Sequence, residues 1–153
     1  VLIAALAPMM LKTAGDLADG TVTWTTGIKT IKTHVAPRIN AAAAAAERPK
    51  PRIAVGLPVA VTDDAAAARE RISKGLQIYG QLPNYRRMLD IEGAPAPGDI
   101  ALVGTESEVE QQLRALAEAG ATDFNAAIFP VGDDAGTSIA RTRALLKGLV
   151  GHI

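Results

Sequence analysis

The chain contains no cysteine, which excludes a disulfide scaffold, a thiolate metal site and a cysteine nucleophile. It has two histidines, His34 and His152, so a histidine-rich metal site is excluded as well. Aromatic residues make up 3% of the chain, too few to build base-stacking platforms. Lysine plus arginine equal aspartate plus glutamate at 16 each, and without a basic excess no nucleic-acid partner is expected. The opening apolar run, Val1 to Leu11, is interrupted by Pro8. It falls short of the roughly 20 residues that span a bilayer and lacks the positively charged start of a signal peptide. No membrane partner is expected, and the expected location is the cytoplasm. No Walker-type loop, no Gly-x-Gly-x-x-Gly and no Gly-x-Ser-x-Gly occurs.

What remains is a chain of 153 residues, 48% apolar and 21% charged, a composition that folds rather than stays disordered. Its length fits one domain, residues 1–153. It begins at Val1, directly in an apolar run, and the expectation from this is a fragment of a longer chain or a processed product.

Val1 to Leu6 is a continuous apolar run of the kind found in a strand buried on both faces. Pro8 suits the first turn of a helix, and Met10, Leu11, Ala14, Leu17 and Ala18 follow at helical spacing. Asp19-Gly20 stops that helix, and Thr21 to Thr25 is rich in β-branched residues, a second strand. A second helix runs from near Gly27 toward Glu47, with a kink or break expected at Pro37. The low-complexity stretch Ala41 to Ala46 reads as its end, built from the best helix former. Ile53 to Val61 is a third strand, in which Pro58 argues for a bulge or a late start. Asp63-Asp64 opens a third helix with the stripe Ala65, Ala68, Ile72, Leu76 and Tyr79. Gln81 to Asp99 is a long irregular excursion with a short helix at Tyr85 to Ile91. Thr105 to Glu108 matches a capping box, in which the threonine oxygen accepts a backbone N–H and Glu108 reaches back. Asp123 to Phe129 is a fourth strand, and a last helix carries Ile139, Thr142, Leu146, Leu149 and Val150.

Strand and helix thus alternate four times, which implies a parallel sheet with helices packed on it. An eight-unit (β/α) barrel takes roughly 250 residues, so four units are half of one. A small doubly wound sheet is the other reading.

Several segments together resemble the bacterial luciferase-like monooxygenase family. Ile3-Ala4-Ala5-Leu6-Ala7-Pro8-Met9-Met10 with Ala14-Gly15-Asp16-Leu17-Ala18-Asp19-Gly20 is similar to a family strand, turn and helix. Leu57 to Asp64 resembles the seventh barrel strand and the helix start after it. Gly104 to Val109 with Ala119 to Asp123 resembles the last helix-to-strand passage. No single motif is specific; their order is. The resemblance implies an α/β fold that is the C-terminal half, strands five to eight, of a (β/α)8 TIM-type barrel. The closest branch is the oxidoreductases that use the deazaflavin coenzyme F-420, with FMN-dependent monooxygenases as the near alternative. It implies hydride transfer or monooxygenation, with the cofactor at the C-terminal ends of the strands and a small-molecule substrate. The turn after strand five tends to carry glycines in deazaflavin-dependent members; here Leu6 and Ala7 stand there. The family's proton-handling residues come mainly from the N-terminal half, so the catalytic residues stay unassigned, and the isolated chain is expected to be inactive.

The candidate cofactor-binding residues are therefore Leu6, Ala7 and Pro8 at the first strand end and Trp24, Thr25 and Thr26 at the second. The plain readings beside these are an ordinary βα turn and a rim aromatic. Thr62, Asp63, Asp64, Asp133 and Asp134 read as helix caps or solvated loop charges, and His34 as a surface histidine. The different-class alternative is a non-catalytic half-barrel that assembles or binds. Two open sheet edges and an uncovered inner face predict a homo-oligomer or pairing with the N-terminal half.

Overall fold

The computed structural model describes residues 1–153. Thirteen segments follow in order: β1 (Leu2–Ala4), α1 (Pro8–Leu17), β2 (Gly20–Trp24), α2 (Ile28–Thr30), a π-turn (Ile31–Val35), α3 (Ala36–Ala45), β3 (Arg52–Val61), α4 (Ala65–Gly75), α5 (Pro83–Glu92), β4 (Leu102–Gly104), α6 (Glu106–Glu118), β5 (Asp123–Ile128) and α7 (Ala135–Leu149). Short 3₁₀ turns at Gln77–Gly80 and Pro97–Ile100 flank α5. No helix is long and apolar enough to cross a membrane.

Every strand pairing is parallel. The four strands expected from the sequence are β1, β2, β3 and β5, and they lie side by side in chain order, without the reversal that marks a doubly wound sheet. β4 is a fifth, short strand that the sequence reading passed over. β5 pairs with Ala54 to Val59, overlapping both the β2 partners (Arg52 to Gly56) and the β4 partners (Val59 to Val61). A strand has two edges, so β2 and β4 share one edge of β3, end to end.

This arrangement settles Pro58, which sits inside a continuous ten-residue strand rather than at a bulge or a late start. Even-numbered residues of β3 address the β2 and β4 edge: the Arg52 N–H donates to Asp19, the Gly56 carbonyl accepts from Thr25, and the Thr62 N–H donates to Gly104. Position 58 falls after β2 has ended and before β4 begins, where no ladder partner awaits an N–H. A proline therefore costs no hydrogen bond there.

One face of the sheet carries the large core. Ile53, Val55, Leu57, Val59 and Val61 of β3 project into it, against Leu11 and Ala14 of α1, Ile31, Val35 and Ile39 of the second helix, and Val109, Leu113 and Leu116 of α6. The register places Leu2 and Ala4, Val22 and Trp24, Ala54, Gly56 and Pro58, and Asn125 on the other face. That face is built mostly of small side chains, and Ala4 and Asn125 on it are exposed. Its far end is covered by α4, where Ala68 and Ile72 pack with Ala60, Val103 and Val131. Parallel sheets normally bury both faces under helices; here most of one face has none.

The second helix runs through Pro37 without a break. A proline ring clashes with the carbonyl four residues back and supplies no N–H. The π-turn before it widens the helix at that point, with the Ala36 N–H bonding to Ile31. The Arg38 guanidinium donates to the carbonyls of His34 at 2.9 Å and Thr33 at 3.4 Å.

The helix caps follow the sequence closely. Asp64 Oδ1 accepts the Ala67 N–H at 3.0 Å, and Asp134 Oδ1 accepts those of Gly136 and Thr137. At α6 the Glu108 carboxylate accepts both the N–H and the hydroxyl of Thr105, at 2.8 and 2.9 Å, so the threonine hydroxyl is engaged as a donor. Thr142 of α7 is buried and accepts the Val61 N–H at 2.9 Å, where β5 has already ended. Val150, placed on the α7 stripe from its spacing, lies beyond the helix and is exposed.

The alanine-rich end of α3 is a packing seam. A Cβ on Gly15 of α1 would come within 2.6 Å of the Ala42 Cβ and 2.7 Å of the Ile39 carbonyl oxygen. The two helices touch through their smallest residues, and a backbone carbonyl cannot move aside cheaply. Gly15→Val is expected to cost about 1–3 kcal/mol by overpacking, read as a lowered midpoint in chemical denaturation with an unchanged slope.

Candidate functional site

Parallel strands place all their C-terminal ends on one side, and a cleft of about 400 Å³ opens there. β1 and its turn contribute Ala4, Ala5, Leu6 and Ala7; α1 adds Met10; β2 adds Val22, Thr23 and Trp24. Asn125 comes from β5, and Asn84 and Tyr85 reach in from α5. The cleft thus sits where the helix-free face meets the strand ends. No charged side chain lines it, and its polar groups are amides, a hydroxyl, a phenol and an indole N–H.

Of the six candidate residues, Leu6, Ala7 and Trp24 line this cleft. Pro8 is exposed beside it at the start of α1. Thr25 and Thr26 are fully buried and do not line it; the Thr26 hydroxyl donates to the Trp24 carbonyl at 3.1 Å. The sequence reading missed Tyr79, Tyr85, Asn84 and Asn125. Trp24 meets Tyr79 edge to face with ring centroids 6.0 Å apart, and Tyr79 meets Tyr85 the same way at 5.0 Å. The only tryptophan and both tyrosines of an aromatic-poor chain therefore gather at one mouth. That scarcity is the signal the sequence offered. The Trp24 ring also lies against Gly56, where a Cβ would come within 2.9 Å of it.

The end of β2 is the most constrained stretch of backbone here. Thr25 has φ +47°, a left-handed conformation that a β-branched residue rarely adopts. Strain of this kind concentrates at functional sites. Three consecutive residues, Thr23, Trp24 and Thr25, each bury a side-chain polar atom with no hydrogen-bond partner: Oγ1, Nε1 and Oγ1. Buried polar atoms are nearly always paired, so a run of three unpaired ones beside a cleft marks a place suited to a ligand.

The N-terminus of α2 is already filled. The Glu92 carboxylate, from the end of α5, accepts the N–H groups of Lys29 and Thr30 at 3.0 and 2.7 Å and the Thr30 hydroxyl at 2.6 Å. It lies close over Gly27, where a Cβ would come within 2.4 Å of it. An anionic tail at that helix start would have to displace it. The first turn of α1 has no side-chain cap and no acidic residue.

His34 differs from its expected place on the surface: it is only 7% exposed. Its Nε2 lies 2.7 Å from the carbonyl oxygen of Leu6. Lys32 and Thr33 before it in sequence are exposed, and their polarity masked that His34 turns inward with Ile31 and Val35.

A second groove, of about 310 Å³, lies between α6, α7 and β5 on the helix side of the sheet. Asp123 is its one charged residue, and Arg52 holds that carboxylate, with Nε at 3.0 Å. The groove carries no other titratable group.

Residues 1–123 match the luciferase-like monooxygenase family. The chain belongs to that family. No curated protein sequence matches it. Among solved structures it is similar to an F-420-dependent secondary alcohol dehydrogenase in complex with an F-420–acetone adduct, with a TM-score of 0.68 and 17% identity over 95% of this chain and 47% of that one. The coenzyme F-420-dependent tetrahydromethanopterin reductase from Methanopyrus kandleri gives 0.61 and 20%, over 89% of this chain and 46% of that one. The FMN-bound oxygenating constituent of 3,6-diketocamphane monooxygenase from Pseudomonas putida gives 0.54 and 20%, over 76% and 38%. The chain spans less than half the length of each. These likenesses carry the α/β fold and its parallel sheet.

Around the site, Arg141 of α7 ties the loop after β3 to the start of α6. It donates to Asp63 after β3 at 3.0 and 3.1 Å, and to Glu106 after β4 at 2.6 and 2.8 Å. The Arg141 hydrogen bonds, helped by the backbone N–H of Glu106 itself, hold the Glu106 carboxyl down from 4.5 to about 2, and Arg141 lowers Asp63 as well. A depressed carboxylate stabilises the fold above its unfolded value and loses that contribution as pH falls through the folded one. The stability difference between the wild type and Arg141→Met is therefore expected to be constant above about pH 5. It shrinks below 4.5 and reaches its smallest value near 2, read by denaturant midpoints across that window.

Proposed function

We propose that this chain provides the C-terminal half, strands five to eight, of a (β/α)8 barrel oxidoreductase that works with the deazaflavin coenzyme F-420. FMN is the alternative. The observation that carries the reading is the position of the cleft. It lies at the C-terminal ends of parallel strands, where barrel enzymes keep their sites, and it borders the part of the sheet face left open beyond α4. A barrel interior is such a face. Similar structures of about twice the length, named for F-420 or FMN, support the same reading.

The residues fit a flat heteroaromatic ring with polar edges. Leu6, Ala7, Met10 and Trp24 offer apolar walls, and Trp24 Nε1 is a buried donor without a partner. Once bound, the group supplies hydride transfer or oxygen activation. The chain's own residues hold and orient it and exclude water. Leu6, Ala7 and Trp24 are its proposed contacts, with Pro8 beside them, Tyr85 and Asn125 facing the same space, and the buried Thr25 and Thr26 backing the strand end from behind. The substrate is a small molecule, and the residues that handle protons belong to the other half of the barrel. The edges of β1 and β5 pair with that half or with a second copy, so the 153-residue chain alone turns nothing over.

Trp24 is the only tryptophan, so its fluorescence reports on this cleft alone. Titration with F-420, and separately with FMN, is expected to quench it saturably, with tighter binding of F-420. No change with either would overturn the reading.

A further inference from the structure

His34 is a buried titratable group that the proposed contacts do not include. It sits in the π-turn and faces the carbonyl of Leu6, the residue where β1 has left its ladder and the chain turns into α1. β1 pairs with β2 only through Leu2, Ile3 and Ala4, so Leu6 lies beyond the last paired residue. A carbonyl oxygen only accepts, so the ring nitrogen 2.7 Å from it carries the hydrogen. The Leu6–Ala7–Pro8 turn lines or borders the cleft, and Ala7 is the N-cap of α1 without any side-chain cap of its own. The imidazole is therefore a side-chain tether on a turn that the sheet no longer holds.

We propose that His34 is the positioning residue of the cleft: its Nε2–H holds the Leu6 carbonyl and so fixes the Leu6–Ala7–Pro8 turn against which the bound cofactor rests. The proposal explains why a histidine, rather than an apolar residue, stands on the inward face beside Ile31 and Val35. Its functional part rests on the cofactor reading above; its structural part does not. Thr21 of β2 provides a parallel three residues earlier along the β1 segment, its hydroxyl donating to the Ile3 carbonyl at 2.8 Å. Two side chains from the core side thus secure the carbonyls of β1, and His34 secures the one at the cleft.

The test uses His34→Leu, which removes the donor, and His34→Gln, whose amide can donate from a similar reach. Amide hydrogen exchange at Leu11, whose N–H closes the turn onto the Ala7 carbonyl at 2.9 Å, is expected to speed up about tenfold in His34→Leu and to stay near the wild type in His34→Gln. F-420 or FMN binding, followed through Trp24 fluorescence, is expected to weaken about tenfold in the first and to be rescued in the second. Unchanged exchange in His34→Leu overturns the proposal, as does a Gln variant no better than Leu. If His34→Leu does not fold, nitrogen chemical shifts of the wild-type imidazole decide: hydrogen on Nε2 supports the tether, and hydrogen on Nδ1 alone overturns it. A wild type that shows no fluorescence change with either cofactor removes the cofactor reading and leaves the exchange experiment standing.

Discussion

Both edges of β3 are in use, and the fold depends on this. Its ten residues pair with β2 and then β4 along one edge and with β5 along the other. Only β1 lies outside its reach. The alternation of the strand sorts its side chains by size. Ile53, Val55, Leu57, Val59 and Val61 anchor the large core under the helices, while Ala54, Gly56, Pro58 and Ala60 keep the opposite face shallow. Large β-branched or branched residues on one side bury the most apolar area. Small ones on the other leave room above the sheet.

That room becomes a cleft because the excursion after α4 returns over it. α5 brings Asn84 and Tyr85 to the strand ends, and the Tyr79 and Tyr85 rings brace Trp24. Glu92 then latches α5 to the start of α2 through three hydrogen bonds. The cleft wall is thus fixed at both ends, by the aromatic contacts and by a carboxylate at a helix N-terminus, where its charge is favourable. Arg141 adds a further tie at the strand ends, between the loop after β3 and the start of α6. The strained Thr25 and its unpaired neighbours lie inside this braced region, which is the condition under which strain persists.

Local chemistry was legible wherever one segment decides its own state. The Asp64 and Asp134 caps, the Thr105–Glu108 pair, the helix after Pro8 and the four main strands follow from residue type and spacing. Pro58 misled because a proline in a strand is judged against an average partner, and here the partner edge has a gap at that position. His34 misled for the opposite reason: the polar Lys32 and Thr33 before it are exposed, and only the return of β1 beneath the helix gives it a carbonyl to bind. Leu102–Gly104 is too short to show a period of two, so β4 was not visible as a strand.

The sequence by itself determined a parallel α/β chain of four main repeating units, its core stripes, its helix ends and its likeness to the luciferase-like family. It also placed Leu6, Ala7 and Trp24 at strand ends, because a strand end is a local feature. Only the tertiary structure decided that these three face one cleft, that Thr25 and Thr26 turn away from it, and that Tyr85, Asn84 and Asn125 share it. The reason is separation: Leu6, Trp24, Tyr85 and Asn125 belong to four different elements. What brings them together is the order and register of the strands and the fold-back of α5, which no local pattern of residues encodes.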